Sequence, residues 1–383
     1  MTAQRTYGRW LVIPQGGDGS SAGLFIGTDR GVFTLKVSPD DLKRLIEAKL
    51  HLAGLAKEQA AVVADVLVFA DIRGVHSHGA MRVEYYAERI AKGGINVNPQ
   101  IDWQVTGACT AICDGDNGVG HYMAKLAMDE AINIAAKNGV AVVGVRNISH
   151  SGAVGYFVKQ AVERKMIGIS VCQSDPMVVP YGGTDPYYGT NPIAFGAPSN
   201  TDEAIIFDMA TSVQAWGKIL HARSKHEAIP PTWAVDDQGV PTTDPFKVHA
   251  LLPIADAKGY GLMMMVDILS GVLLGLPFGN KVSSMYADLS AYRRLGQLHV
   301  VINPSFFTDL DQFLANITQT MRDLNNMRPA PGFDMVYYPG QREELKRAEY
   351  TQTGIEIVDS IFEYLVSDVI HHNFYDHKDP FAE

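Results

Sequence analysis

Between Gly261 and Phe278 the chain reads GLMMMVDILSGVLLGLPF, its longest apolar stretch. A run of about 18 apolar residues is long enough to cross a bilayer. Asp267 in its middle, and Gly271, Gly275 and Pro277 after it, argue against that use, and no second run of the kind accompanies it. The stretch is therefore expected to be a helix buried in the core of a soluble protein. A chain of 383 residues with 46% hydrophobic and 19% charged residues can supply that core. Its length fits two or three domains, or one large catalytic unit with a subdomain.

The net charge of −10 excludes a broad basic surface for nucleic acid, so an anionic substrate would need a locally positive pocket. Cys109, Cys113 and Cys172 are odd in number, and the first two are spaced C-x3-C. That is neither a disulfide framework nor a zinc ribbon, and it fits a reducing, cytoplasmic setting. At the N-terminus Arg5, Arg9 and Trp10 precede a short apolar patch and then QGGDGSSAG, which is not the pattern of a signal peptide. Residues 1–34 are expected to be a poorly ordered extension, with the natural start near Leu35.

From there three helices are expected. Ser38-Pro39-Asp40-Asp41 combines a capping serine, a proline suited to the first helical position and acids for the positive helix end. Leu42, Leu45, Ile46 and Leu50 follow at helical spacing. A second helix is expected over Lys57–Arg73, a turn at His76–Gly79 and a third helix over Met81–Lys92. The middle is α/β in character. Strands are expected at Ala141–Val145, Ile167–Cys172, Ala204–Phe207 and Leu295–Ile302, and helices at Tyr122–Lys137, Val154–Arg164, Asp309–Asn326 and Ile355–Val366.

Several short segments carry residue types suited to chemistry. In His76-Ser77-His78-Gly79-Ala80-Met81-Arg82, His78 and Arg82 are four apart and share a face if a helix begins there. Arg82 offers a planar fork for a carboxylate, and His78 can move a proton near neutral pH. The segment serves equally well as a histidine-capped helix start, and the H-x-H pair could also bind a metal given further ligands. Ile148-Ser149-His150-Ser151-Gly152 follows a strand, where α/β sites form, but a loop histidine capping the next helix fits the same pattern. Tyr188-Gly189-Thr190-Asn191-Pro192, Phe207-Asp208-Met209-Ala210-Thr211-Ser212 and Lys258-Gly259-Tyr260-Gly261 offer hydrogen-bonding or phosphate-binding groups; alone they read as a turn, a helix cap and a solvated loop lysine. No G-x-G-x-x-G follows a strand. The run Gly115-Asp116-Asn117-Gly118-Val119-Gly120 has the wrong spacing for a Rossmann fingerprint.

Taken in order, RGVHSHGAMR (Arg73–Arg82), HSGAV (His150–Val154), GTNP (Gly189–Pro192), FDMATS (Phe207–Ser212), AKGYGL (Ala257–Leu262) and YPGQ (Tyr338–Gln341) resemble the malate/L-lactate dehydrogenase family, which lacks the Rossmann fold. The resemblance runs from about Leu35 to Glu383. It implies an α/β, non-Rossmann NAD-binding fold with a helical N-terminal segment and a central mixed sheet. The domains implied are a helical part of the catalytic domain over 35–105, an NAD-binding α/β domain over 106–250 and a part completing the catalytic domain over 251–383. It further implies hydride transfer from a small 2-hydroxy acid to NAD, with NADP as the alternative, and a homodimer that engages no membrane, nucleic acid or metal. Longer stretches such as HSHGAMRVEYYAERIAKGG (His76–Gly94) and VCQSDPMVVPYGG (Val171–Gly183) resemble one branch whose members oxidise a ureido-bearing 2-hydroxy acid in purine (allantoin) breakdown.

By the same resemblance, His150 matches a proton acceptor, and His78 with Ser77 a proton donor. Arg82 and Thr190 match substrate contacts, and Ser174, Asp208, Met209, Ala210, Lys258 and Gly340 match cofactor contacts. Some branches complete a relay to the His78 position with an acid soon after FDMATS, where this chain has Trp216-Gly217-Lys218. That departure favours His150 as the acid/base. The rivals are a relative acting on malate, lactate or sulfolactate, and a metal-dependent hydrolase built on His76 and His78.

Overall fold

The computed structural model describes residues 11–13, 22–29 and 32–375. Helix α1 (Pro39–Leu52) starts where local chemistry sets it: Ser38 Oγ accepts the Asp41 N–H at 3.1 Å, and Pro39 opens the helix. Ahead of it lie β1 (Leu11–Ile13), β2 (Ala22–Asp29) and β3 (Val32–Val37), paired antiparallel in sequence order. At those positions strands replace the expected poorly ordered extension over 1–34. The remainder of that stretch lies outside the described residues. The sequence VFTLKV alternates at the two-residue period of a strand, a signal masked by the glycine-serine run before it.

Gly54, at φ 118°, turns the chain into α2 (Lys57–Ile72), and Gly74, at φ 78°, ends that helix. Two 3-10 turns, His76–His78 and Ala80–Arg82, lead into α3 (Val83–Ala91). These elements, with residues 342–374, form the first of two compact units.

The second unit spans residues 92–341 and Tyr375. It holds β4 (Asp102–Gly107), β5 (Thr110–Asp114), α4 (Gly120–Asn138), β6 (Val140–Ile148), α5 (Gly155–Glu163), β7 (Ile167–Cys172), β8 (Ile193–Pro198), β9 (Ala204–Met209), α6 (Trp216–Lys225), β10 (Ala234–Val235), β11 (Ala250–Leu251), α7 (Ala257–Ser270), β12 (Leu295–Ile302) and α8 (Leu310–Asn326). Seven strands form one mixed sheet in the order β4-β5-β6-β12-β7-β8-β9, in which only β5 and β6 run parallel. The pleat sorts side chains by face. Ala141, Val143, Val145 and Val301 pack with Met123 and Ala127 of α4 and with Phe157 and Val158 of α5. Val171 and Leu298, with Val142, pack against Val266 of α7 on the opposite face.

Two expectations need correction. The boundary between 106–250 and 251–383 does not divide the sheet, because β12 lies between β6 and β7 and hydrogen-bonds to both. The apolar helix is buried on one face only. Met263 and Val266 are fully buried, whereas Met265, Ile268, Val272 and Leu273 are 39–59% exposed. Among the described residues Ala257–Leu274 is the one stretch long and apolar enough to cross a membrane, but it packs on the sheet. Asp267 is buried within it, where its carboxylate accepts the Gly279 N–H at 3.1 Å. Burial holds that carboxyl above its ordinary pKa.

The chain then returns to the first unit through α9 (Gln341–Thr353), β13 (Ile355–Val358) and α10 (Asp359–Val366). The single helix expected over Ile355–Val366 splits, because Ile355 and Ile357 alternate inward as β13 pairs with β3.

Candidate active site

In the first unit the residues singled out by sequence fall in one short stretch. The turns His76–His78 and Ala80–Arg82 have no side-chain cap of their own. Ser77 Oγ lies 3.0 Å from His78 Nδ1, and Arg82 Nε donates to the Ser77 carbonyl at 2.7 Å. His78 and Arg82 therefore stand on successive 3-10 turns, not on one face of a helix. The cause is Gly79, which breaks the first turn from the second. Burial, and then the Arg82 guanidinium, push the His78 pKa down to about 4. At neutral pH His78 is an uncharged imidazole, able to accept a proton.

Asp71, at the end of α2, was not singled out by sequence. It is 2% exposed. Burial raises its pKa, opposed by hydrogen bonds from His76 and the Ala80 N–H. The one sequence signal pointing to it is an acid on the last helical turn before the glycine and the paired histidines.

In the second unit His150 stands between the end of β6 and the start of α5. The loop is clamped by backbone. Ser149 N–H donates to the Gly118 carbonyl at 3.1 Å, and Gly120 N–H donates to Ser149 Oγ at 2.9 Å. A side chain at Gly120 would place its Cβ 2.1 Å from the Ser149 carbonyl oxygen, so only glycine fits. The run Gly115–Gly120, which has the wrong spacing for a dinucleotide fingerprint, thus braces the histidine loop. His121, fully buried, meets His150 edge-on, with ring centroids 6.3 Å apart. Gly152 N–H donates to His150 Nδ1 in a long contact of 3.3 Å. That contact favours the proton on Nε2, so proton uptake at Nε2 needs the ring to change tautomer.

The other singled-out residues of this unit are tied to one another. Ser174 Oγ and Thr190 Oγ1 are 3.0 Å apart, and Thr211 N–H donates to the Thr190 carbonyl at 2.8 Å. Met209 and Asp208 pair with Ile193 and Ala194 across β9 and β8, and Ala210 follows directly. Asp208 Oδ2 accepts the Gly155 N–H at 2.7 Å, joining β9 to the start of α5 just past His150. Gly340, at φ 89°, lies where a Cβ would come 2.4 Å from the Ile206 carbonyl oxygen of β9. Ile254 N–H bonds the Thr211 carbonyl at 2.9 Å, joining the segment that leads into α7, on whose first turn Lys258 stands, to the end of the FDMATS run. Cys172 has its thiol pushed up to about 12 by burial and then by Asp208, so it stays protonated.

These groups fit a dinucleotide by their donor chemistry. The first turn of α7 has no side-chain cap and carries Lys258, which suits a pyrophosphate. The Ser174 and Thr190 hydroxyls offer neutral hydrogen bonds. Among the described residues there is no group of three or more His, Cys, Asp or Glu side chains placed to hold a metal ion. His76 Nδ1 is engaged by Asp71.

The profile of the malate/L-lactate dehydrogenase family matches residues 37–366. Ureidoglycolate dehydrogenase (NAD(+)) of Escherichia coli is 60% identical over 349 residues, spanning 91% of this chain and 100% of that protein. A malate dehydrogenase of Pyrococcus abyssi is 36% identical over 86% of this chain and 93% of its own length. The solved sulfolactate dehydrogenase of Methanocaldococcus jannaschii superposes with a TM-score of 0.80 at 37% identity, covering 86% of this chain and 94% of that one.

Proposed function

Since the chain belongs to the malate/L-lactate dehydrogenase family, we propose that it oxidises ureidoglycolate to oxalurate with NAD as the electron acceptor. The observation that carries this reading is 60% identity across the whole length of a ureidoglycolate dehydrogenase (NAD(+)), well above the 36% shared with the malate dehydrogenase of Pyrococcus abyssi and the 37% shared with the sulfolactate dehydrogenase of Methanocaldococcus jannaschii.

Oxidation removes a hydride from the hydroxyl-bearing carbon and a proton from its oxygen, and NAD, when bound, takes the hydride. The rest falls to the protein. His150 accepts the hydroxyl proton. His78, uncharged at neutral pH, and Ser77 form a second proton-handling pair. Arg82 pairs its guanidinium with the substrate carboxylate, and Thr190 hydrogen-bonds to the substrate. Ser174, the backbone of Asp208–Ala210, Lys258 and Gly340 would hold the cofactor.

The exposed apolar side chains Met265 and Ile268 of α7, and Val272 and Leu273 of the turn after it, support a homodimer. Leu273→Glu should then lower the mass seen by analytical ultracentrifugation. The three free cysteines support a reducing cytoplasm. A role in purine breakdown follows from the substrate.

The deciding experiment is a panel of ureidoglycolate, malate, lactate and sulfolactate with NAD and NADP, followed by absorbance of the reduced nicotinamide. The reading expects the highest kcat/KM for ureidoglycolate with NAD. A higher value for any other acid would reassign the substrate.

A further inference from the structure

One carboxylate outside the Ser77–Arg82 segment holds the residue that leads into it and the backbone at its middle. Asp71 Oδ1 accepts from His76 Nδ1 at 2.9 Å, and Asp71 Oδ2 accepts the Ala80 N–H at 2.6 Å. Between these tethers the backbone at Gly79 lies directly on the carboxyl group, where an added Cβ would fall 2.0 Å from Asp71 Oδ1. The α2 helix supplies the fixed base, since the Gly74 and Val75 N–H groups bond back to its last carbonyls. His76 is the outer arm of the clasp, with its ring 6.1 Å from that of Tyr350 on α9.

We propose that Asp71 is a positioning residue for the hydroxy-acid oxidation, fixing through His76 and the Ala80 amide where Ser77, His78 and Arg82 stand. The inference rests on the function given in the preceding subsection. Neither 3-10 turn is capped by the side chain of its own leading residue; within the segment Ser77 meets His78 and Arg82 donates to the Ser77 carbonyl. Those contacts fix the members relative to one another. The two Asp71 tethers fix the group relative to α2. A carboxylate suits the place because both of its partners donate, one to each oxygen. Holding reacting groups to within about 1 Å is worth on the order of 10²-fold in rate, so a clasp of this kind acts on turnover without touching substrate.

The test uses the full chain. In Asp71→Asn the side-chain oxygen can still accept the Ala80 N–H. Its amide can donate to His76 Nδ1 once that ring carries its proton on Nε2. In Asp71→Ala both tethers are gone. The Ala variant should lose on the order of 10²-fold in kcat/KM for the hydroxy acid, while its dissociation constant for NAD, measured by protein fluorescence, stays within about twofold. The Asn variant should recover most of the loss. His76→Gln, which keeps a donor toward Asp71, should likewise outperform His76→Leu. Because His76 is half-exposed, that pair carries the test if Asp71→Ala fails to fold. A folded Asp71→Ala or His76→Leu within about threefold of wild-type kcat/KM would overturn the proposal. So would NAD affinity falling in parallel with turnover, or an Asn variant no better than Ala. A wild-type chain inactive on every acid of the panel would instead sink the assigned function, and this role with it.

Discussion

The segment Ser77–Arg82 and the loop Ser149–Gly152 each present an imidazole, and they hold it by different means. The first is tethered by side chains: a buried carboxylate holds His76, just before it, and the Ala80 amide at its middle, and Ser77 meets His78 within it. The second is clamped by main chain, with Gly118 and Gly120 pressed against Ser149 and with Gly152 reaching His150 Nδ1. The side-chain tether should respond to charge and pH. The main-chain clamp should respond to added volume. The His78 environment also disfavours the charged ring.

The largest expected effect separates the two imidazoles. His150→Asn should lower kcat by about 10²–10⁴-fold, the usual contribution of a general base, while NAD binding persists in a fluorescence titration. Turnover near wild type would move the proton acceptor to the other region. Next is Arg82→Ala, which removes a charge-assisted pair and should raise KM for the acid by roughly 10–100-fold. Arg82→Lys should recover little if the planar fork matters, and full recovery would reduce the residue to a point charge.

A smaller effect tests the clamp. Gly120→Ala sets a methyl against the Ser149 and His150 carbonyls and should lower stability by about 1–3 kcal/mol, read from the denaturant midpoint. An unchanged midpoint would show that the loop can yield, and the contrast with the tethered turn would fail.

The smallest effect concerns acid. With a folded pKa of about 4, against about 6.5 in the unfolded chain, His78 binds protons preferentially when unfolded. Its contribution is complete above pH 6.5 and is lost as pH falls toward 4. His78→Gln should therefore reduce the stability lost between pH 7 and pH 4.5 by roughly 1 kcal/mol, discounted for the ring's partial exposure. The slope should not vanish, because His299, buried and pushed down to about 3, has the same sign. An identical slope in wild type and variant would mean that the His78 environment is wetter than its surroundings imply.

What the sequence disclosed follows the range of the interactions. The Ser38 cap and the strand Ile167–Cys172 were legible because their signals are local, and both stand where expected. The six motifs were legible only as a set: their order carried the family, while each alone read as a cap, a turn or a loop. Asp71 looks like any acid on a helix, since its partners appear only when Gly79 folds back over it. The Gly115–Gly120 run was readable only as glycine-rich with the wrong spacing for a dinucleotide fingerprint, because its purpose depends on Ser149 and His150, far along the chain. The half-exposed face of α7 was hidden because composition reports how apolar a helix is and not what covers it.

The place of β12 has a consequence for how the chain is made. Its neighbours β6 and β7 are synthesised long before it, and until Leu295–Ile302 emerges they lack the strand that joins them. A nascent chain therefore exposes two apolar strand edges while everything between Cys172 and Leu295 is being made, a state prone to sticking to other chains. Closure then requires threading a late segment between early ones, which is entropically slow. Truncation just before Leu295 should give an aggregating product even though most of the sheet's sequence is present, and refolding yield should depend more on protein concentration than on the strength of any one contact.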